Sequence, residues 1–546
     1  MISKKLLLTL NLILSGLISV VNAQNTVGTI LNTVDSFEAY TLFTVNTESY
    51  LINNCGEVVN QWSSSYLPGN AVYLLENGNL LRAGKTNSSD IVFGGTGGRI
   101  ELFNWEGDLI WGINYDTPDY RQHHDVFPMP NGNILVLAAT VLTQEQAVQS
   151  GRNPDKMTES VLYNEQIIEI EPFGSDSYNV VWEWNLIDHV IQDFDATKDN
   201  YGIVSLNPQL LDINFLNNQE GVANWIHANS IQFDETLDQI ILSSRNLSEF
   251  YIIDHSTTTL EASSHSGGLY GKGGDFLFRW GNPQAYQQGN EDDRKLYGQH
   301  YPHWIKEGFV DSRKIILFNN GFGRVPTFSE VFILNPPMDS PGVYTLNSNS
   351  SYGPLNPDYT YTNSNDFYSA ILSSAQRLAN GNTLICEGRT GELIEIDQNE
   401  NIVWEYITPV NNITGTILSQ GDSASGANNN TFRAIKYEPD YPAFTGRDLT
   451  PGDPIELNPD LSGCSLLSVN EELESYTRLY PNPVKDYLRI KSKQPTIKIE
   501  IFSVVGALLK SEENSDQIDM RDLSSGMYVV KLYSHKGSIS KRIIKQ

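Results

Sequence analysis

At 546 residues the chain is long enough for a large core and at least one further domain. Its formal net charge of −29 argues against nucleic acid and against anionic membrane surfaces as partners. The charge is uneven, because residues 478–546 carry a net +6 and the remainder −35, so a basic tail follows an acidic body.

Met1 to Ala23 reads as a signal peptide (1–23). Lys4-Lys5 is its basic start, Leu6 to Val21 its apolar run and Val21-Asn22-Ala23 its small-residue cleavage site. A membrane anchor is the alternative, but the run is short for a span. The expectation is an exported, soluble protein.

Residues 24–440 read as one all-β unit. Short strands with turn residues every 8–12 positions run from Val27 to about Tyr437. One frame recurs: a strand, a turn and a second strand. It is clearest at His124 to Asn131-Gly132-Asn133, then Ile134-Leu135-Val136-Leu137. Asn70 leads to Asn77-Gly78 and Ser373 to Asn380-Gly381 in the same way. His227 leads to Asp234 and His300 to Glu307-Gly308, with less ideal turns. Most units close on a strand ending in Trp, as at Trp62, Trp111, Trp182, Trp280 and Trp404. Thr431 to Tyr437 looks like a sixth opening strand, and Val27 to Trp62 lacks one of its own. Joining them closes a ring and removes the open sheet edges. The expected architecture is therefore all-β, a six-bladed β-propeller followed by a small C-terminal β-sandwich; the alternative is a stack of sandwich domains. The unit from 124 to 226 is too long for one blade, and Asp188 to Glu220 reads as an insertion across one face. Residues 441–477 are rich in Pro, Asp, Glu and Ser and read as a linker. Residues 478–546 read as the sandwich.

One register position, seven residues before each turn residue, holds Asn70, His124, His227, His300 and Ser373. The chain has only nine histidines, and three share this position. Rotational repeats would bring them together. Arg245 ends the second strand of its unit, and Arg433 falls near the register in the sixth. His123 and His303 stand beside the register, whereas His189, His255, His265 and His535 fit none and read as surface. A His₃ metal hydrolase is one reading, with Asp125 orienting a ligand, though Arg245 nearby would repel a dication. A non-catalytic surface binding propeller is another. Three cysteines allow at most one disulfide. If both chain ends close the ring, Cys55 and Cys464 can meet, and Cys386 in Leu384-Ile385-Cys386 reads as a buried thiol.

Two resemblances sharpen this reading. The segments His123-His124-Asp125, Trp225-Ile226-His227-Ala228-Asn229-Ser230, Ser243-Ser244-Arg245-Asn246, Gly298-Gln299-His300, Phe318-Asn319-Asn320-Gly321 and Asn380-Gly381-Asn382-Thr383-Leu384 span nearly all of 40–450. Together they resemble the PAPS-independent arylsulfate sulfotransferases. That resemblance implies a six-bladed propeller that moves a sulfuryl group from a phenolic sulfate ester to a phenol acceptor through a sulfated histidine, with no cofactor and no metal. It implies His300 as nucleophile, with His303 competing, and His124, His227 and Arg245 binding and polarising the sulfate. His123, His303, Asn229 and Arg433 are the further candidates for substrate binding. The tail, with Tyr480-Pro481-Asn482-Pro483 and Leu523-Ser524-Ser525-Gly526-Met527-Tyr528, looks like the C-terminal sorting domain of the type IX secretion system of Bacteroidetes. It implies the secretion machinery as a partner of 478–546, passage through the periplasm, and a secreted or cell-surface destination. An ordinary carbohydrate-binding sandwich is the alternative for the tail.

Overall fold

A computed structural model describes residues 25–546 apart from 88–89, 218–220, 349, 364–366, 462–463, 465–476, 493–494, 504–507 and 535–536. The expected signal peptide and His535 lie outside the described residues. The chain forms two compact units, one ending at Pro459 and one beginning at Asp460.

The first unit contains six antiparallel sheets of four or five strands, each a meander in which successive strands pair. The Asn-Gly turns explain how. At Asn77, Asn131 and Asn380 the side-chain carbonyl accepts from the backbone N–H two residues on, at 2.9, 2.9 and 3.0 Å. The glycine that follows each takes φ near +90°, where a β-carbon would be strained. Five sheets open with Pro68–Leu74, Tyr120–Pro128, Ala228–Asp234, His300–Trp304 and Ser374–Arg377. The sixth is built from both chain ends: Ala434–Tyr437 pairs with Tyr40–Val45, followed by Glu48–Ile52 and Val58–Ser63. The remaining N-terminal strand departs from expectation. Gly28–Asn32 pairs with Ile402–Ile407 as a fifth strand on the preceding sheet, so the chain start is stitched into two sheets.

Each opening strand touches the next around a closed sequence, and the Tyr40–Val45 strand touches Pro68–Leu74. Alternation along the strands supplies the packing. Ile315 and Leu317 pack toward the third sheet, while Ile316 and Phe318 pack toward the fifth. The same split separates Ile385 from Leu384 and Cys386. Apolar clusters thus fill every seam between neighbouring sheets. The closing tryptophans add a directional link, because each donates its indole N–H to the next unit. Trp62 donates to Asn104 O, Trp111 to Ser177 O, Trp182 to Thr257 Oγ1, Trp280 to Pro354 O and Trp404 to Asn54 O, at 2.7–3.1 Å.

Residues 441–459 correct the linker expectation. Phe444 packs 4.8 Å from Tyr40 between ring centroids, Pro454 bridges Glu57, and Ile455 is buried against the fifth and sixth sheets. The Pro/Asp composition suggested a linker, but apolar side chains spaced through the stretch gain by burial on the body. After the second sheet, the 3₁₀ turn Leu186–His189 leads into Val190–Ile191, which pairs in parallel with Leu211–Asp212. The second unit holds a three-stranded and a four-stranded sheet with one apolar cluster, including Val484, Leu488, Ile501, Ile518 and Val530.

Candidate active site

The opening strands place the register residues in an unusual backbone. His124 and His227 have φ of 50° and 51°, and Asn70 and Ser373 have 89°. A left-handed residue of this kind costs about 1–2 kcal/mol when it carries a side chain. In the His300 strand the left-handed residue is one later, at Tyr301. The pairing register slips at these points, between Val136 and Ala138, between Ala228 and Ser230, and between His300 and His303. Such bulges re-aim side chains that would otherwise alternate between faces. This is how adjacent His123 and His124 come to touch each other, Nδ1 to Nδ1 at 2.9 Å.

His124 and His227 lie 4.8 Å apart between ring centroids. His124 and His300 flank Phe432, at 6.2 and 6.3 Å. Phe93 covers the cluster from the loop before the third strand of the first sheet, 5.1 to 6.3 Å from His123, His124 and His227. Beside it, Gly95 lies so close to His124 that a β-carbon there would sit 2.0 Å from Nε2.

The partners of each ring specify its protons. Asn320 donates its amide N–H to Ser369 O and Leu372 O, at 2.7 and 2.9 Å, so its Oδ1 can only accept. His300 Nδ1 stands 2.7 Å from that oxygen and is therefore the protonated nitrogen, leaving Nε2 bare. Burial and the Arg245 charge push the His300 pKa down to about 3, against the Asn320 and Gly298 oxygens. His227 Nδ1 accepts from Asn224 Nδ2 at 2.6 Å, which puts its proton on Nε2. Glu165 Oε2 accepts from His123 Nε2 at 2.9 Å, and His123 Nδ1 shares a hydrogen bond with His124 Nδ1. Burial and the neighbouring cationic groups hold His124 and His227 well below the usual histidine range. All three imidazoles are neutral near pH 7.

Arg245 follows the second strand of the third sheet, and its backbone N–H donates to His227 O at 3.2 Å. Its guanidinium stacks 4.6 Å over Phe322 and forms no ion pair among the described residues. It lines a cavity of about 170 Å³ with Arg294, Asn217, Ser248 and Gly298. The charge of Arg245 is felt by all three register histidines.

Three candidates lie elsewhere. Arg433 is committed: Nη2 pairs with Asp125 Oδ2 at 2.9 Å, Nη1 donates to Tyr73 Oη, and the plane stacks 3.7 Å from the Tyr301 ring centroid. Asp125 also accepts from Tyr73 Oη and from Ile231 N–H, so it pins sheets together rather than orienting a metal ligand. His303 contacts Tyr301 and lines a separate cavity of about 270 Å³ with Trp304, Gln376 and Tyr437. Asn229 is fully buried and donates to Gln299 O at 2.7 Å, bracing the residue before His300. Two expected surface histidines are also inside: His189 is fully buried, and His255 bridges Asp238 and Glu169. Asn224, Glu165 and Asn320 were not singled out by the register. Asn320 stands in one of the segments that carry the resemblance, and the signal for the other two is a polar residue within an apolar strand or near a motif histidine.

This arrangement, neutral imidazoles within electrostatic reach of a guanidinium that forms no ion pair among the described residues, suits an anionic ester. Residues 47–432 match the family model described as arylsulfotransferase (ASST), and the chain belongs to that family. Residues 478–546 match the secretion system C-terminal sorting domain, which directs the chain across the outer membrane to the cell surface or beyond it. No curated protein matches the chain. Among solved structures, a protein of unknown function from Bacteroides caccae is 11% identical, with 73% of this chain and 98% of that one covered and a TM-score of 0.38. A putative 6-phosphogluconolactonase from Bacteroides fragilis is 9% identical over 74% and 99%, with a TM-score of 0.34. A virginiamycin B lyase from Staphylococcus aureus is 10% identical over 70% and 88%, with a TM-score of 0.30. At such scores these likenesses carry no argument about activity.

Proposed function

We propose that the body is a six-bladed β-propeller that transfers a sulfuryl group from a phenolic sulfate ester to a phenol in two steps, through a sulfated His300. The supporting observation is the pinned ring: Asn320 holds the His300 proton on Nδ1, and the depressed pKa keeps Nε2 free at neutral pH. In the first step the Nε2 lone pair attacks sulfur and the S–O bond to the aryl group breaks. The departing phenolate accepts a hydrogen bond from the Nε2–H of neutral His227 and takes its proton from solvent after it leaves. In the second step the acceptor, its proton lost to solvent and its phenolate oxygen held by the same N–H, attacks sulfur, and the N–S bond breaks to restore neutral His300. Arg245 neutralises charge spreading over the sulfuryl oxygens; one well-placed donor of this kind is worth about 3 kcal/mol. Charge, water exclusion by Phe93 and Phe432, and imidazole suffice for each step.

The metal-hydrolase reading fits less well, because no register histidine belongs to a group of three ligand atoms within 4.8 Å among the described residues. The tail's two sheets are read as the sandwich that carries the sorting signal.

The test uses the mature protein with 4-nitrophenyl sulfate and a phenol. Donor alone is expected to add one sulfuryl mass to the peptide containing His300, and varying both substrates to give parallel double-reciprocal lines. Mass that fragmentation places on His303 rather than His300 refutes the assignment. Intersecting lines with no labelled peptide refute the covalent step. A His300→Gln variant that still releases nitrophenol when zinc is supplied would favour metal hydrolysis. Absence of release with any phenol would favour a binding propeller.

A further inference from the structure

A second cluster of histidines lies outside the site, between the second and third sheets. His189 closes the 3₁₀ turn that begins the insertion. His265 lies in the glycine-rich loop before the outer strand of the third sheet, and Asp275 immediately precedes that strand. Asp275 Oδ1 stands 2.8 Å from His189 Nδ1 and 2.8 Å from His265 Nδ1. One ligand atom from each of the three residues lies within 4.8 Å of the other two.

The hydrogen bonds at this cluster fix how the His189 ring is oriented. His189 Nε2 is 2.7 Å from Ala262 O. A carbonyl only accepts, so Nε2 carries the hydrogen. A neutral His189 then aims the lone pair of Nδ1 at a carboxylate oxygen 2.8 Å away, two acceptors face to face. The ring cannot escape by turning over. It is fully buried, stacked on Trp184 with planes 2° apart, and a flip would abandon Ala262. Either an extra proton or a metal ion must sit there.

Two imidazoles and one carboxylate converging on one point form the donor set of a transition metal. Tetrahedral zinc bonds of about 2.0–2.2 Å put neighbouring donor atoms about 3.4 Å apart, a short outward shift from the 2.8 Å that separates each Nδ1 from Asp275 Oδ1. Asp188 lies within electrostatic reach of both rings and adds a second carboxylate, and Lys272 stands within electrostatic reach of Asp275. The His265 side chain is 58% exposed, which leaves a path for an ion and room for water to complete its coordination.

We propose that His189, His265 and Asp275 bind a zinc ion that fastens the start of the insertion to the loop leading into the outer strand of the third sheet. The full chain, stripped with chelator and desalted, is titrated with zinc chloride, and bound metal is measured by elemental analysis alongside the unfolding temperature. The expected result is one zinc per chain, a higher unfolding temperature with zinc, and affinity lower by about tenfold or more in His265→Ala. Because His265 is exposed, that variant should fold normally. His300→Gln should bind zinc as the parent does, which places the metal away from the candidate active site. A folded parent that retains no zinc, or equal retention by parent, His265→Ala and Asp275→Asn, would overturn the proposal in favour of a protonated His189.

Discussion

The two arginines nearest the register differ in what they already hold, and this separates their roles. Arg433 is buried against Asp125 and Tyr73, whereas Arg245 has no carboxylate partner among the described residues. Removing one member of a buried ion pair strands the other charge and costs about 3–5 kcal/mol. Arg433→Ala is therefore expected to lower stability by that amount in denaturant melts. Arg245→Ala should leave stability nearly unchanged and lose about 10²–10³-fold in transferase kcat/KM. The reverse outcome would make Arg433 the sulfate ligand. Titration gives a second residue-scale prediction. Hydrogen bonds and charge from Asp238 and Glu169 overcome burial and raise His255 to about 9. Its stabilising contribution is complete below the ordinary histidine pKa of about 6.5 and is lost as pH rises through about 9. His300 has the opposite sign, since its pKa falls to about 3 and acid favours the unfolded chain between about pH 6.5 and 3. The difference in unfolding free energy between parent and His255→Gln should shrink from pH 6 to pH 10. A difference constant across that range would refute the raised pKa.

At the scale of elements, the repeat frame made the strand, the turn and the position of His124, His227 and His300 legible. Spacing alone could not say where His303, Asn229 and Arg433 point, because a bulge changes which face each later residue takes. His303 follows His300 by three residues across such a bulge and turns toward another cavity. The sixth sheet was legible because the N-terminal strands lack an opening frame. The extra strand Gly28–Asn32 was not, since an edge strand of five residues carries little pattern. Packed aromatic residues within 441–459 were masked by their Pro- and Asp-rich neighbours. The loop carrying Phe93 and Gly95 yields a prediction here. Gly95 has φ of 87° and no room for a methyl group beside His124. Gly95→Ala should cost about 1–2 kcal/mol of stability and displace the ring, lowering kcat more than it raises KM. Unchanged kcat would show that His124 has no part in the chemistry.

For the whole molecule, the two compact units predict separable roles. A chain ending near Ser475 should fold cooperatively and keep transferase activity, and in the native host it should remain in the periplasm. Truncated protein found outside the cell would mean that another segment carries the address. A folded but inactive truncation would mean that the tail contributes to the site. The expected pairing of Cys55 with Cys464 is tested by peptide mapping without reductant. It would contribute on the order of 4 kcal/mol for so long a loop. Cys386 is a fully buried thiol and should resist alkylation until the body unfolds. Oxidised Cys386 would refute the pairing.

The stitching of Tyr40–Val45 to Ala434–Tyr437, and of Gly28–Asn32 to Ile402–Ile407, sets the time at which this body can be finished. Neither pairing can form until nearly four hundred intervening residues have been synthesised. At about 5–20 residues per second, ring closure waits on the order of tens of seconds after the first strand emerges. Until then Gly28–Asn32 has no partner strand and the ring stays open, although the sheets built from sequence-adjacent strands can already form.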